Sequence, residues 1–260
     1  MLAPESYEAI RIERRENGVA IATLNRPEKR NAVDDTMHNE LARLPREADA
    51  DPDVKALVIT GAGQAFCAGG DFAGGLRPSA RMWMEARRIV DGILDCQTPL
   101  ITAVNGYAMG LGATLALLGD VVFAARRATF ADTHVRMGVA AGDGGQVIWP
   151  LLMGVNRAKY YLMTGDRIPA EEAERLGLVN FVVDDEALME RALALADRLA
   201  AGPTLAISAS KSAINQYIKV VSNVVLPLSL KLEEWTMTTQ DFGEAVVAFA
   251  EKREPKFQGR

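Results

Sequence analysis

Cysteine and histidine are both scarce in this chain: 260 residues contain two of each, Cys67 and Cys96, His38 and His134. The cysteines form neither a C-x-x-C pair nor a metal-spaced set, so no disulfide framework and no zinc site is expected. Basic residues are not in excess either. A net charge of −5 and a pI near 5.3 exclude a broad cationic face for nucleic acid, and any anionic ligand has to be met by a local cluster. Residues 1–10 lack an apolar signal core and carry Glu5 and Glu8, which points to a cytoplasmic protein. One uncharged stretch, residues 98–119, has the length to span a bilayer. Pro99, Asn105, Gly106, Gly110 and Gly112 punctuate it, so it reads as a buried strand, a turn and a glycine-opened helix.

What is present is apolar mass in a regular alternation. Hydrophobic residues make up 49% of the chain, enough for a sizeable core in one large domain. Asn17-Gly18, between β-rich segments at 9–15 and 19–24, predicts an opening hairpin. A helix over 33–50, a strand over 54–60, a helix over 80–96, a strand over 100–104, a helix near 112–118 and a strand over 120–125 follow. That order predicts an α/β fold of stacked βαβ units. Beyond Gly142, short helical patterns at 146–153, 157–163 and 170–176 precede a strand over 179–183. Helices are then predicted at 187–200, 203–217, 224–239 and 242–252. The expected division is a core over 1–200 and a helical C-terminal region over 201–260.

Two glycine-rich turns carry chemical potential. Ala65-Phe66-Cys67-Ala68-Gly69-Gly70-Asp71-Phe72 follows a predicted strand, and the segment from Ala103 through Asn105-Gly106 and Gly110-Leu111-Gly112 to Thr114 joins a strand end to a helix start. Helix N-terminal N–H groups have no internal partner and sit at the positive dipole end, so such turns offer donors to developing negative charge. For either turn alone, tight packing of helix on sheet explains the glycines equally well. Arg26, Lys29 and Arg30 form a cationic cluster suited to phosphates.

Taken together, these segments are accompanied by Leu24-Asn25-Arg26-Pro27, Asn31-Ala32, Ile59-Thr60-Gly61, Thr98-Pro99, Ala158-Lys159-Tyr160-Tyr161 and Phe249-Ala250-Glu251-Lys252-Arg253. In this order and spacing the chain resembles the crotonase (enoyl-CoA hydratase/isomerase) superfamily over nearly its whole length. The resemblance implies a spiral of ββα units with a helical C-terminal trimerisation region, assembled as a trimer or a dimer of trimers. It implies a thioester carbonyl held by the N–H groups of Gly70 and Leu111, and no metal or redox cofactor. Coenzyme A, as part of the substrate, would run past Arg26 and Ala32 and over Ala68, with Asp71, Phe72 and Thr114 also at the substrate.

The chain departs from that family where hydratases carry two catalytic glutamates. Alignment on the glycine turns puts Thr114 at the first position and His134 at the second. A threonine is no general base near neutral pH, so it is left to donate a hydrogen bond or orient a water. His134 is followed by Asp143 in a Gly-Asp-Gly turn, with Val147 and Trp149 beyond. This arrangement resembles the superfamily's C–C bond hydrolases for β-diketones, of the 6-oxocamphor hydrolase type. Imidazole titrates near neutrality, and a carboxylate on its other nitrogen fixes its tautomer, so His134 is expected as base and Asp143 as its orienter. The plain alternatives are a structural histidine and a turn aspartate capping the next helix. His38 is assigned to structure, Cys67 to packing of a tight turn, and Glu233 and Glu234 to a helix surface, the alternative being that one of the two faces the site from a C-terminal helix. Trp83, Met82 and Met84 are assigned to an acyl pocket or to core. The functional alternatives are an enoyl-CoA hydratase/isomerase with altered acid-base groups and a non-catalytic acyl-CoA-binding homologue.

Overall fold

A computed structural model of the chain describes residues 1–71 and 78–260. Strand β1 (Ile10–Arg14) pairs antiparallel with β2 (Val19–Leu24), and helix α1 (Asp35–Asp49) starts where the Asp34 side chain accepts from Met37 N–H. Three similar turns of chain follow. The first runs β3 (Ala56–Gly61), β4 (Ala65–Cys67), α2 (Ala80–Asp95); the second β5 (Leu100–Val104), β6 (Tyr107–Met109), α3 (Leu111–Leu117); the third β7 (Val121–Ala125), β8 (Thr129–Ala131), α4 (Gly145–Met153). Helices α5 (Val155–Thr164), α6 (Ala170–Arg175) and α7 (Leu188–Ala200) alternate with the short strands β9 (Ile168–Pro169) and β10 (Phe181–Val183), and α8 (Thr204–Thr236) and α9 (Gln240–Glu251) close the chain. The first strand of each turn enters a sheet ordered β1-β2-β3-β5-β7-β10, and the second enters a smaller sheet ordered β4-β6-β8-β9. This is the expected spiral of ββα units.

The central strands β3 and β5 are buried along their whole length. Parallel strands covered on both faces read as continuous apolar runs rather than as alternation. Val58, Ile101 and Ala103 pack under Leu188, Ala192 and Ala196 of α7. Leu57, Ile59 and Val104 face the main core with Leu41, Ile89 and Leu115. Asn105, in the turn between β5 and β6, stitches one turn of the spiral to the one before: its Nδ2 donates to the carbonyls of Gly61 and Gly63 at 2.9 and 3.0 Å. Asn31 does the same for the β4 approach, donating to Ala62, Ala65 and Phe66. The two asparagines thereby set the height at which the glycine turns emerge.

Helix α8 joins what the sequence predicts as two helices and continues through Pro227. Lys211, Asn215, Ser222, Leu226, Ser229 and Glu233 form its buried stripe. Lys211 Nζ pairs with Asp120 at 2.7 Å and donates to Thr98 O at 2.8 Å, which clips the helix to the start of β5. Replacing Lys211 by methionine leaves those acceptors unmet. We expect a loss of about 1–3 kcal/mol, read by calorimetry as a lower melting temperature. No described helix is long and apolar enough to cross a membrane.

Candidate active site

The two glycine turns converge on one narrow cavity, lined by Gly70, Leu111, His134, Asp143 and Glu233 together with His38 and the α2 side chains Met82, Trp83 and Ala86. Gly70 forms a parallel bridge with Val33: Val33 N–H bonds Gly69 O at 2.8 Å and Asp71 N–H bonds Val33 O at 2.9 Å. In such a bridge the middle residue turns its own N–H to the other side. Leu111 is the first residue of α3, so its N–H has no partner in the helix. Neither amide donates to a described residue. Gly110 supplies the turn from β6 into α3, with φ of 52° and ψ of −124°, a region closed to side chains. A Cβ there would lie 3.4 Å from His134 Cε1, so the start of α3 sits directly against the imidazole.

His134 opens the short 3₁₀ turn after β8. Its Nδ1 lies 2.6 Å from Asp132 Oδ1, which also accepts His134 N–H at 3.3 Å. The orienting carboxylate is therefore Asp132. Asp143 lies instead on the opposite nitrogen, with Oδ2 3.3 Å from Nε2, and Glu233 Oε1 stands 3.8 Å from the same Nε2. Asp143 does not cap α4, which has no side-chain cap. Thr114, wholly buried, donates to Asp143 Oδ1 at 3.1 Å. Glu233 arrives from α8 because Gly142 has no side chain: a Cβ there would meet Glu233 Cβ and Ser229 O at 2.4 Å. The ligand atoms of His134, Asp143 and Glu233 lie within 4.8 Å of one another, close enough to grip a divalent cation.

Three carboxyls around one buried imidazole cannot all be charged alike. Burial disfavours the imidazolium, but Asp132 and Asp143 overcome it and hold His134 well above its ordinary 6.5. Burial also disfavours the Asp143 carboxylate, yet the His134 charge and hydrogen bonds from His134 and Thr114 keep it below its usual range. Glu233 is pushed well above its usual range by burial; His134 opposes this and Asp143 and Asp132 reinforce it. Its Oε2 is buried without a hydrogen-bond partner among the described residues. Burial thus favours the proton on Glu233, beside an imidazole whose charged form Asp132 and Asp143 favour. Stability follows with a definite sign. The His134 contribution is full below about 6.5 and the Glu233 contribution below about 4.5; both fade as pH rises through their raised folded values. Asp143 contributes above its ordinary value and is lost only as pH falls through its depressed one. Melting temperature should therefore fall as pH rises above about 6.5, and Glu233→Gln should flatten part of that decline.

Other expectations fare differently. Arg26 is turned inward: it pairs with Asp71 at 3.1 Å and Asp34 at 3.2 Å and donates to Ala32 O. Its guanidinium is spent on holding Asp71 and the Ala32 backbone in place, and is not presented to phosphates. Lys29 and Arg30 remain exposed beside it. Ala68 N–H donates to Arg30 O at 3.0 Å, which ties Ala68 to the same loop as Ala32. Phe72 lies outside the described residues. Cys67 is buried, and burial pushes its thiol up to about 12, so it is no nucleophile. Val147 and Trp149 belong to the main core. Met82 and Trp83 line the cavity, whereas Met84 is exposed.

Comparison with known proteins decides the family. Residues 14–260 match the model of the enoyl-CoA hydratase/isomerase family. The chain belongs to that family. This hydratase/isomerase homologue is 37% identical to the 1,2-epoxyphenylacetyl-CoA isomerase of Escherichia coli over 94% of its own length and 97% of that protein. It is 35% identical to the crotonyl-CoA hydratase of Syntrophomonas wolfei, covering 97% and 98% of the two chains. Among solved structures it is similar to a β-diketone hydrolase from the cyanobacterium Anabaena, with a TM-score of 0.83 and 30% identity over 90% of this chain and 96% of the other. The fold and the membership of an enzyme superfamily are thereby fixed.

Proposed function

We propose that this protein adds water to a β-dicarbonyl compound, carried as a coenzyme A thioester, and cleaves the C–C bond between its carbonyls. The observation that carries the reading is His134 Nε2, held by Asp132 through Nδ1, facing Asp143 and Glu233 beside the start of α3, where the Leu111 amide has no partner among the described residues. The cavity at that point has a volume of about 30 Å³, and a water needs roughly 10–15 Å³. Neutral His134 takes a proton from this water as its oxygen bonds to the β-carbonyl carbon. The C–C bond then breaks, and its electron pair forms a thioester enolate whose oxygen accepts from Gly70 and Leu111 N–H. The imidazolium left on His134 is the species that Asp132 and Asp143 stabilise. Lys29 and Arg30 are the cations placed to meet the coenzyme A phosphates beside Ala32 and Ala68.

The outer face of α8 and α9 supports assembly. Leu205, Tyr217, Val220, Val224, Trp235 and Phe249 are all exposed on it, a patch that further copies of the chain would cover in a trimer. The names of the hydratase relatives favour a second reaction, hydration of an enoyl thioester. Oxygen-18 water separates the two. Acetoacetyl-CoA should yield acetate carrying the label, and crotonyl-CoA should gain no labelled hydroxyl. Label appearing only in a hydroxyacyl product would overturn the cleavage reading.

A further inference from the structure

The cavity holds a second imidazole that the reaction above does not use. His38, in the first turns of α1, is 3% exposed, and its Nδ1 lies 3.1 Å from Glu85 Oε2 on α2. Glu85 is itself buried and held from two further sides, by Arg81 Nε at 2.7 Å and Asn39 Nδ2 at 3.0 Å. Burial works against the Glu85 carboxylate, but these hydrogen bonds and that of His38 keep it below the usual carboxylate range. An ionised Glu85 therefore fixes the ring through Nδ1. The other nitrogen, Nε2, has no hydrogen-bond partner among the described residues, while the ring lines the same cavity as His134, Asp143 and Glu233. A buried histidine with one nitrogen locked to a carboxylate and the other left to a cavity is the arrangement of a proton-transfer group, not of a satisfied core residue.

We propose that His38, positioned by Glu85, is the acid that delivers a proton to the carbon of the enolate. This rests on the cleavage reading and completes its proton balance. His134 removes one proton from water on one wall. After the C–C bond breaks, the enolate carbon needs one proton before product leaves. In its charged form His38 carries Nε2–H toward the cavity; that N–H bond breaks as the new C–H bond forms, and the electron pair stays on nitrogen. The neutral ring regains a proton from solvent, which receives the one that His134 gives up. No oxidant, reductant or further reactant enters. Because His38 comes from the α1 side and His134 from the turn after β8, the carbon is protonated from a fixed face.

A substrate with no hydrogen on the carbon between its two carbonyls makes that face visible. Hydrolysis of 2-ethyl-2-methyl-3-oxobutanoyl-CoA passes through a planar enolate carbon whose configuration is set again by protonation, and hydrolysis of free 2-ethyl-2-methylcyclohexane-1,3-dione creates one new stereocentre at the protonated carbon. The native protein should form a single enantiomer. His38→Gln should lower kcat by roughly 10²-fold or more, as loss of a general acid does, leave KM within a few-fold, and bring the product toward a racemate as water becomes the donor. Glu85→Gln keeps an acceptor for Nδ1 and should give an intermediate loss in both rate and enantiomeric purity, which serves if His38→Gln does not fold. Folded variants at both positions that retain the native rate and the same single enantiomer would overturn the assignment and leave the cleavage reading standing. If the native protein cleaves neither compound, the cleavage reading itself fails and the role of His38 falls with it.

Discussion

Replacing His134 by alanine lowers kcat by roughly 10²–10⁴-fold with the fold intact. The variant loses the imidazole that lies against Asp143 and Glu233 and takes the proton from water in the proposed reaction. His134→Gln should lose as much, since an amide does not take up a proton. The pH profile of the native protein tests the same assignment from another side. Asp132 and Asp143 hold His134 well above its ordinary 6.5, and only the neutral ring accepts a proton from water. The rate should therefore rise with pH above about 6.5, through the raised value. The stability of the protein falls over that same range, because the ion pair that stabilises the fold is the one that must be dissolved for the base to work. Asp132→Asn should move the rising limb toward lower pH, because it removes a negative charge that stabilises the imidazolium, and should lower the plateau by loosening the ring. An activity that peaks in acid and declines through neutrality would assign the water to another base.

Much of this arrangement was legible in residues taken in order. The long apolar strands and the amphipathic helices lie within a few residues of where hydrophobic pattern put them, because β3, β5 and their covering helices bury whole faces. The second sheet escaped: β4, β6 and β8 are three residues each, too short for a period to register. Helix α8 is predicted as two helices, 203–217 and 224–239, whereas packing on α2 and α4 carries one helix across that gap and on through Pro227. The site divides in the same way. Gly70, Leu111, His134 and Asp143 are singled out by the family resemblance, since the local turns alone are explained equally well by packing. Asp132 stood two positions before His134, a spacing at which an aspartate readily accepts from the backbone and ring that follow, and so it could have been singled out. Glu233 and His38 could not. Each lies on a helix whose local pattern is ordinary, and each becomes chemical only when α8 crosses Gly142 or when α1 packs on α2 around Glu85. What brings them to the cavity is tertiary contact between segments far apart in the chain, 47 residues in the case of His38 and Glu85, and no local spacing encodes it.

Leu111→Pro should reduce kcat by roughly 10²–10³-fold, the cost of one oxyanion donor, while Leu111→Ala retains most of it. The pair isolates a single N–H. Residue 111 is the first of α3, the position at which a helix tolerates proline because that N–H is unpaired in any case. Its predecessor, Gly110, has a backbone conformation that is the mirror image of the extended one favoured before proline, so a glycine there can accept the change. Both substitutions remove most of the same buried side chain, so loss of packing is shared and cancels in the comparison. What differs is one donor hydrogen. If the two variants lose activity equally, the enolate oxygen is not held by Leu111, and the chemistry assigned to the convergence of the two glycine turns must lie elsewhere. If only the proline variant collapses while still binding acetoacetyl-CoA, the amide acts on the charge that develops during reaction and not on the ground-state thioester.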